Sequence, residues 1–141
     1  MATTTVHVRT EAGVAWITLD GPDTRNALDA ASASALVEAC DVIDDDSSLG
    51  AAVITGSGKA FCSGADTAVL ARVRTSAPDE AYELLDVLYS GFRRFALLRV
   101  PTVAAVHGAA VGAGLNLALA ADVRVATPSA LFVSGFAPLG I

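Results

Sequence analysis

Val106-His-Gly-Ala-Ala-Val-Gly-Ala-Gly-Leu-Asn116 is the stretch whose reading decides the fold. Thr102 to Val106, rich in strand formers, leads into it. Glycines then crowd the chain from Gly108 to Gly114, and the small apolar residues Leu115 to Ala121 suit a helix. Pro101 ends whatever helix precedes the strand. A second stretch, Gly56-Ser-Gly-Lys-Ala-Phe-Cys-Ser-Gly-Ala-Asp66, follows the short apolar strand Ala51 to Thr55 and reads as a loop running to Ala65. Glycine in such places permits tight turns and close backbone approach, so each segment can aim an N–H at a ligand instead of at a strand partner.

Working outward, Val6 and Val8 alternate with His7 and Arg9, Glu11-Ala-Gly13 offers a turn, and Val14 to Leu19 favours a strand. Residues 4 to 19 therefore predict a hairpin. Asp29 caps a helix with Leu36, Cys40 and Ile43 at helical spacing, closed by Asp44-Asp-Asp46, which reads as a solvated helix end. A helix from about Asp79 to Leu98 carries Leu84, Leu88, Phe92 and Phe95 on one face, with Arg93 and Arg94 turned elsewhere. Val123 to Ala126 and Ala130 to Val133 supply further strands. Strands alternating with helices predict one α/β domain over residues 1–141, without an internal sequence repeat or a dividing linker. Val100 to Ala121 is uncharged over a membrane-spanning length, but Pro101 and three glycines interrupt it, and His107 and Asn116 would be costly in lipid.

With 141 residues, 53% of them apolar, the chain can bury a core. A formal charge of -6, with Lys59 the only lysine, argues against nucleic acid and anionic membrane as partners, because both need clustered cations. No secretory signal is visible at the start, which makes the cytoplasm the default location. Cys40 and Cys62 are too few for a disulfide framework and lack metal-ligand spacing, so no metal is expected. Gly58-Lys59 is no phosphate loop, since Val53 and Ala60 stand where Gly and Ser or Thr are required. A dinucleotide fingerprint at Gly112-Ala-Gly114 has the right strand-to-helix setting, but Leu117 occupies the third Gly position and no acid follows about 20 residues on. An NAD-binding α/β domain is kept as the alternative from another class.

Several motifs occur together in order and spacing: Ala15-Trp-Ile-Thr-Leu19, Arg25-Asn-Ala-Leu28, Val53 through Asp66, Pro101 through Ala126, and Leu139-Gly-Ile141. In this the sequence resembles the enoyl-CoA hydratase/isomerase, or crotonase, family. The resemblance implies a repeated ββα spiral of the ClpP/crotonase type, truncated before the C-terminal helices, and homotrimers or hexamers for the full-length protein. It also implies an acyl-CoA thioester as substrate, with no further cofactor. By it, Ala65 and Ala113 match the two positions whose backbone N–H groups hold the thioester oxygen as an oxyanion hole, and Gly112 begins the second of those turns. Arg25, Ala27, Ser63, Asp66 and Thr67 match positions lining the coenzyme A nucleotide and pantetheine, with Asp66 also placed to cap a helix.

The pattern breaks where hydratases of the family carry two glutamates. Asn116 matches the first and Phe136 the second. An amide cannot accept a proton from water, and a phenyl ring can neither hold water nor activate it. His107 is of a residue type suited to proton transfer near neutral pH, but a His at a strand end is more often structural. Cys62 has no recognisable His–acid partners. Two readings follow: an enzyme that stabilises an enolate, with its acid or base placed elsewhere, or a binder that holds acyl-CoA without turning it over.

Overall fold

Burial alternates strictly along Val14–Asp20, where Ala15, Ile17 and Leu19 are fully buried and their neighbours half-exposed. This strand, β2, pairs antiparallel with β1 (Thr5–Glu11) through the turn at Ala12-Gly13, which is the hairpin the sequence predicts. The computed structural model describes residues 3–135, so Phe136 and the Leu139-Gly-Ile141 segment lie outside the described residues. Asp29 caps α1 (Ala30–Asp45) as predicted, its carboxylate accepting from the Ser32 N–H at 2.8 Å while Ser32 Oγ accepts from the Asp29 N–H. Next come β3 (Ala51–Gly56), β4 (Ala60–Cys62), α2 (Thr67–Thr75) and α3 (Pro78–Ala96). They are followed by β5 (Thr102–Val106), β6 (Ala109–Val111), α4 (Ala113–Ala120), β7 (Val123–Ala126) and β8 (Leu131–Val133).

Two sheets result. The larger runs β1-β2-β3-β5-β7, parallel apart from the first hairpin, and the smaller runs β4-β6-β8, wholly parallel. Each pair β3–β4, β5–β6 and β7–β8 puts its first strand in the large sheet and its second in the small one, so the chain advances as a spiral of ββα turns. The repeat is therefore one of structure, carried by no repeat in sequence. Phe61, Ile54, Val106 and Leu117 fill the space between the sheets and helices.

Three expectations need correction. The loop drawn from Gly56 to Ala65 contains β4, and the turn drawn from Gly108 to Gly114 contains β6. Both strands are three residues long, too short for alternation to register in sequence. The helix expected after Asp66 is α2, and none of its residues is fully buried. Finally, the α1 end is not merely solvated. Asp44 accepts from Arg94 Nη2 at 2.7 Å and from the Arg99 N–H at 3.1 Å, while Asp41 accepts from Arg94 Nε at 2.8 Å. Burial pushes the Asp44 carboxyl up, but Arg94 and the Arg99 amide outweigh it and hold the group below the usual carboxylate range. Arg94 thus fastens α3 to α1, beside Leu88, Phe92 and Phe95, which are buried as predicted. The long uncharged run divides into β5, β6 and α4, and no described helix is long and apolar enough to cross a membrane.

Candidate active site

The first turn is held by a loop distant in sequence. After Pro22–Thr24, Arg25 and Asn26 take left-handed backbone, φ 56° and 58°, a conformation Asn tolerates better than most residues. Asn26 is fully buried. Its Nδ2 donates to the carbonyls of Ser57 and Ala60 at 2.9 Å and of Phe61 at 3.2 Å, while its Oδ1 accepts from the Gly21 N–H at 2.9 Å. Residues 25–28 then lie alongside residues 63–66. The Ser63 N–H donates to the Arg25 carbonyl at 2.9 Å, the Leu28 N–H to Gly64 at 2.7 Å, and the Asp66 N–H to Leu28 at 2.8 Å. Leu28 bridges Ala65 in parallel, and in such a bridge the bonds go to the residues either side of Ala65. Among the described residues the Ala65 N–H donates to no protein group.

The second turn leaves an N–H free by a different route. Gly112, at φ 53° and ψ -115°, donates its N–H to the Val133 carbonyl at 2.9 Å and starts α4. The first helical bond is from the Asn116 N–H to the Gly112 carbonyl at 3.0 Å, so the Ala113 N–H is one of the orphan donors of a helix start. The two turns meet backbone to backbone. Gly64, at φ 100°, approaches the Val111 carbonyl so closely that a Cβ would sit 2.7 Å from its oxygen and 3.5 Å from the Ala113 nitrogen. Gly114 presses in the same way on the Cys62 carbonyl, where no Cβ fits.

Beside these turns opens a cleft of about 440 Å³. Ser63, Gly64 and Ala65 of the first turn and Val111, Gly112 and Ala113 of the second form one side, with Gly135 nearby. Leu70 and Val73 of α2 and Leu85, Leu88 and Tyr89 of α3 form the other. Among the described residues no lining residue is charged. Of the predicted site residues, Ser63, Ala65, Gly112 and Ala113 are brought together here. Arg25 and Ala27 flank the first turn on the neighbouring segment, with Arg25 exposed. Asp66 caps α2, accepting from the Ala68 N–H at 2.8 Å, and Thr67 is exposed at the start of that helix. Asn116 is half-buried one turn along α4 and does not line the cleft.

The remaining candidates have structural surroundings. His107 Nε2 lies 3.1 Å from the Gly58 carbonyl, away from the cleft lining. Burial pushes the Cys62 thiol up to about 12 despite the Gly64 N–H beside it, and Cys40 is raised to about 12 by burial as well. Neither is a thiolate at neutral pH. Among the described residues no cluster of three His, Cys, Asp or Glu side chains could hold a metal. Among the described residues the strands of the large sheet are added in one direction from β2 to β7, without the reversal point at which doubly wound folds bind a dinucleotide. Asn26 and the α2–α3 wall escape sequence reasoning, since an Asn in a loop carries no mark of partners more than 30 residues away.

Comparison with known proteins agrees with this architecture. A Mycobacterium tuberculosis relative named "Probable enoyl-CoA hydratase EchA14" is 48% identical over 128 residues, covering 91% of this chain and 49% of its own length. The crystal structure of an enoyl-CoA hydratase from Polaromonas sp. JS666 superposes with a TM-score of 0.90 at 33% identity, over 97% of this chain and 53% of that one. That of the Bacillus halodurans enoyl-CoA hydratase gives 0.86 at 30% identity, over 96% and 55%. The chain thus spans about half the length of the curated relatives it matches. The family model for enoyl-CoA hydratase/isomerase matches residues 9–141, nearly the whole chain with both glycine turns inside it, and the chain belongs to that family.

Proposed function

We propose that the chain binds an acyl-CoA thioester with its carbonyl oxygen at the Ala65 and Ala113 N–H groups, and stabilises the enolate that forms when a proton leaves or joins the α-carbon. The observation that carries this reading is the pair of N–H groups without protein partners, on two interlocked turns at one apolar cleft. Donors fixed in advance where negative charge develops need no reorganisation, and the α4 N-terminus adds positive partial charge. Small side chains at 65 and 113 suffice because the donors are backbone. Ser63, Arg25, Ala27, Asp66 and Thr67 lie along the first turn, where the nucleotide and pantetheine of coenzyme A would run, with Arg25 available to a phosphate. The thioester is the substrate, and no further cofactor is invoked.

Hydration is the reaction this site is least equipped for. Asn116 cannot take a proton from water, Phe136 stands at the other glutamate position, and no carboxylate lines the described cleft. That last point favours, as a second reading, holding acyl-CoA without turnover. Each missing acid or base is worth ~10²–10⁴-fold in rate. Titration with crotonyl-CoA and with NAD, followed by an assay of crotonyl-CoA hydration, tests both parts. Saturable acyl-CoA binding, no NAD binding and slow hydration are expected. NAD binding without acyl-CoA binding would overturn the site, and rapid hydration would overturn the role given to Asn116.

A further inference from the structure

Beyond the two turns, the cleft has one fixed wall and one loose one. Leu85, Leu88 and Tyr89 form a single stripe of α3, anchored by Leu88, which is 2% exposed. Opposite them, Leu70 and Val73 belong to α2, which buries no residue. A second cavity of about 390 Å³ lies against Val69 and Arg72 of the same helix. The largest side chain on the fixed wall is Tyr89. Its ring meets that of the buried Phe92 edge-on, with centroids 5.3 Å apart and planes at 86°, which holds its position.

The polar content of the walls is small. Among the described residues only the Ser63 and Tyr89 side chains bring a hydroxyl to the lining. Ser63 Oγ donates to the Thr24 carbonyl at 3.0 Å, whereas among the described residues the Tyr89 hydroxyl has no protein partner. With no cation on the walls, a carboxylate entering the cleft would lose its hydration and gain no counter-charge, while a hydrocarbon chain would meet only favourable surface.

Resting on the acyl-CoA reading above, we propose that the cleft between α2 and α3 takes an uncharged, wholly apolar acyl chain and that Tyr89 determines which chain lengths fit. Tyr89 acts through the bulk of its ring. One methylene too many against a fixed wall is disfavoured by ~10-fold or more, while α2 can give way only on its own side.

The test is a binding series on the 141-residue chain. Butyryl-, hexanoyl-, octanoyl- and decanoyl-CoA are compared with adipoyl-CoA, whose six-carbon acyl group ends in a carboxylate. Hexanoyl-CoA is expected to bind at least ~10-fold more tightly than adipoyl-CoA, a ratio that needs no variant to be measured. The length optimum should move to longer chains in Tyr89→Ala, to shorter chains in Tyr89→Trp, and stay in place in Tyr89→Phe. Equal affinity for hexanoyl- and adipoyl-CoA overturns the apolar assignment. An optimum unmoved in folded Tyr89→Ala and Tyr89→Trp, or moved by Tyr89→Phe, overturns the role of the ring. If no acyl-CoA binds more tightly than free coenzyme A, the acyl-CoA reading itself fails.

Discussion

The turn at Gly64-Ala65 and the turn at Gly112-Ala113 line one cleft, and each holds a backbone N–H without a protein partner among the described residues, yet they are built from different materials. At the first, a parallel bridge with Leu28 consumes the groups on either side of Ala65 and leaves that residue's own N–H unused. At the second, the start of α4 leaves the Ala113 N–H without a carbonyl four residues behind it. The supports differ as well. Asn26, a neutral amide, ties the first turn's neighbours to the loop at 21–28. Beyond the second turn, α4 exits into Asp122, whose carboxylate accepts from the Thr102 N–H at 2.8 Å and Oγ at 2.9 Å, and Arg124 Nη1 donates to the Ala121 carbonyl at 2.6 Å. A free donor can thus be reached by strand geometry or by helix geometry, and the two routes should fail under different conditions.

Removing Asn26 is the severest way to break the comparison. Asn26→Ala leaves the Gly21 N–H and three carbonyls without their side-chain partner in a buried site, and should cost ~3 kcal/mol or more in urea denaturation. Acyl-CoA binding should weaken even where the variant is folded, because the strand route to a free Ala65 N–H depends on the 25–28 segment keeping its place. Stability within ~0.5 kcal/mol of the parent would show that the first turn stands without this support.

A smaller effect separates the turns by pH. The Thr102 N–H, and then its hydroxyl, hold the Asp122 carboxyl below the usual carboxylate range. A carboxyl lowered on folding contributes stability that is fully present above its unfolded value, near ~3.9, and is lost as pH falls through its lower folded value. Asp44 is lowered too and acts in the same direction at the α1–α3 contact, whereas Asn26 does not titrate. Acidification below roughly pH 4 should therefore loosen amide protection around β5, α4 and β7 before that around the first turn, as hydrogen exchange can follow residue by residue. Simultaneous loss in both regions would erase the distinction.

Legibility in the sequence follows the same divide between local and distant causes. The hairpin, the Asp29 cap, β5 and β7 each announce themselves through alternation, a capping residue or a Pro boundary within a few positions. Glycine clusters mark where backbone approaches backbone at both turns, and the family resemblance points to Ala65 and Ala113 as the donors proposed within them. The three-residue strands β4 and β6 leave no period to detect. Asn26 and Tyr89 acquire their surroundings only when segments far apart in the chain meet.

The most direct test of the central claim removes one donor and little else. Proline is tolerated at the first position of a helix, where its missing N–H would otherwise be an orphan, and Ala113 occupies that position in α4. Acetoacetyl-CoA reports the outcome, because its enolate has an ultraviolet absorption band distinct from that of the ketone. Bound to the parent chain it should show the enolate band at a pH where the free thioester does not. Ala113→Pro, folded and melting near the parent temperature, should lose ~10²–10³-fold of that enolate stabilisation. An undiminished enolate band in the folded Ala113→Pro variant would contradict the account.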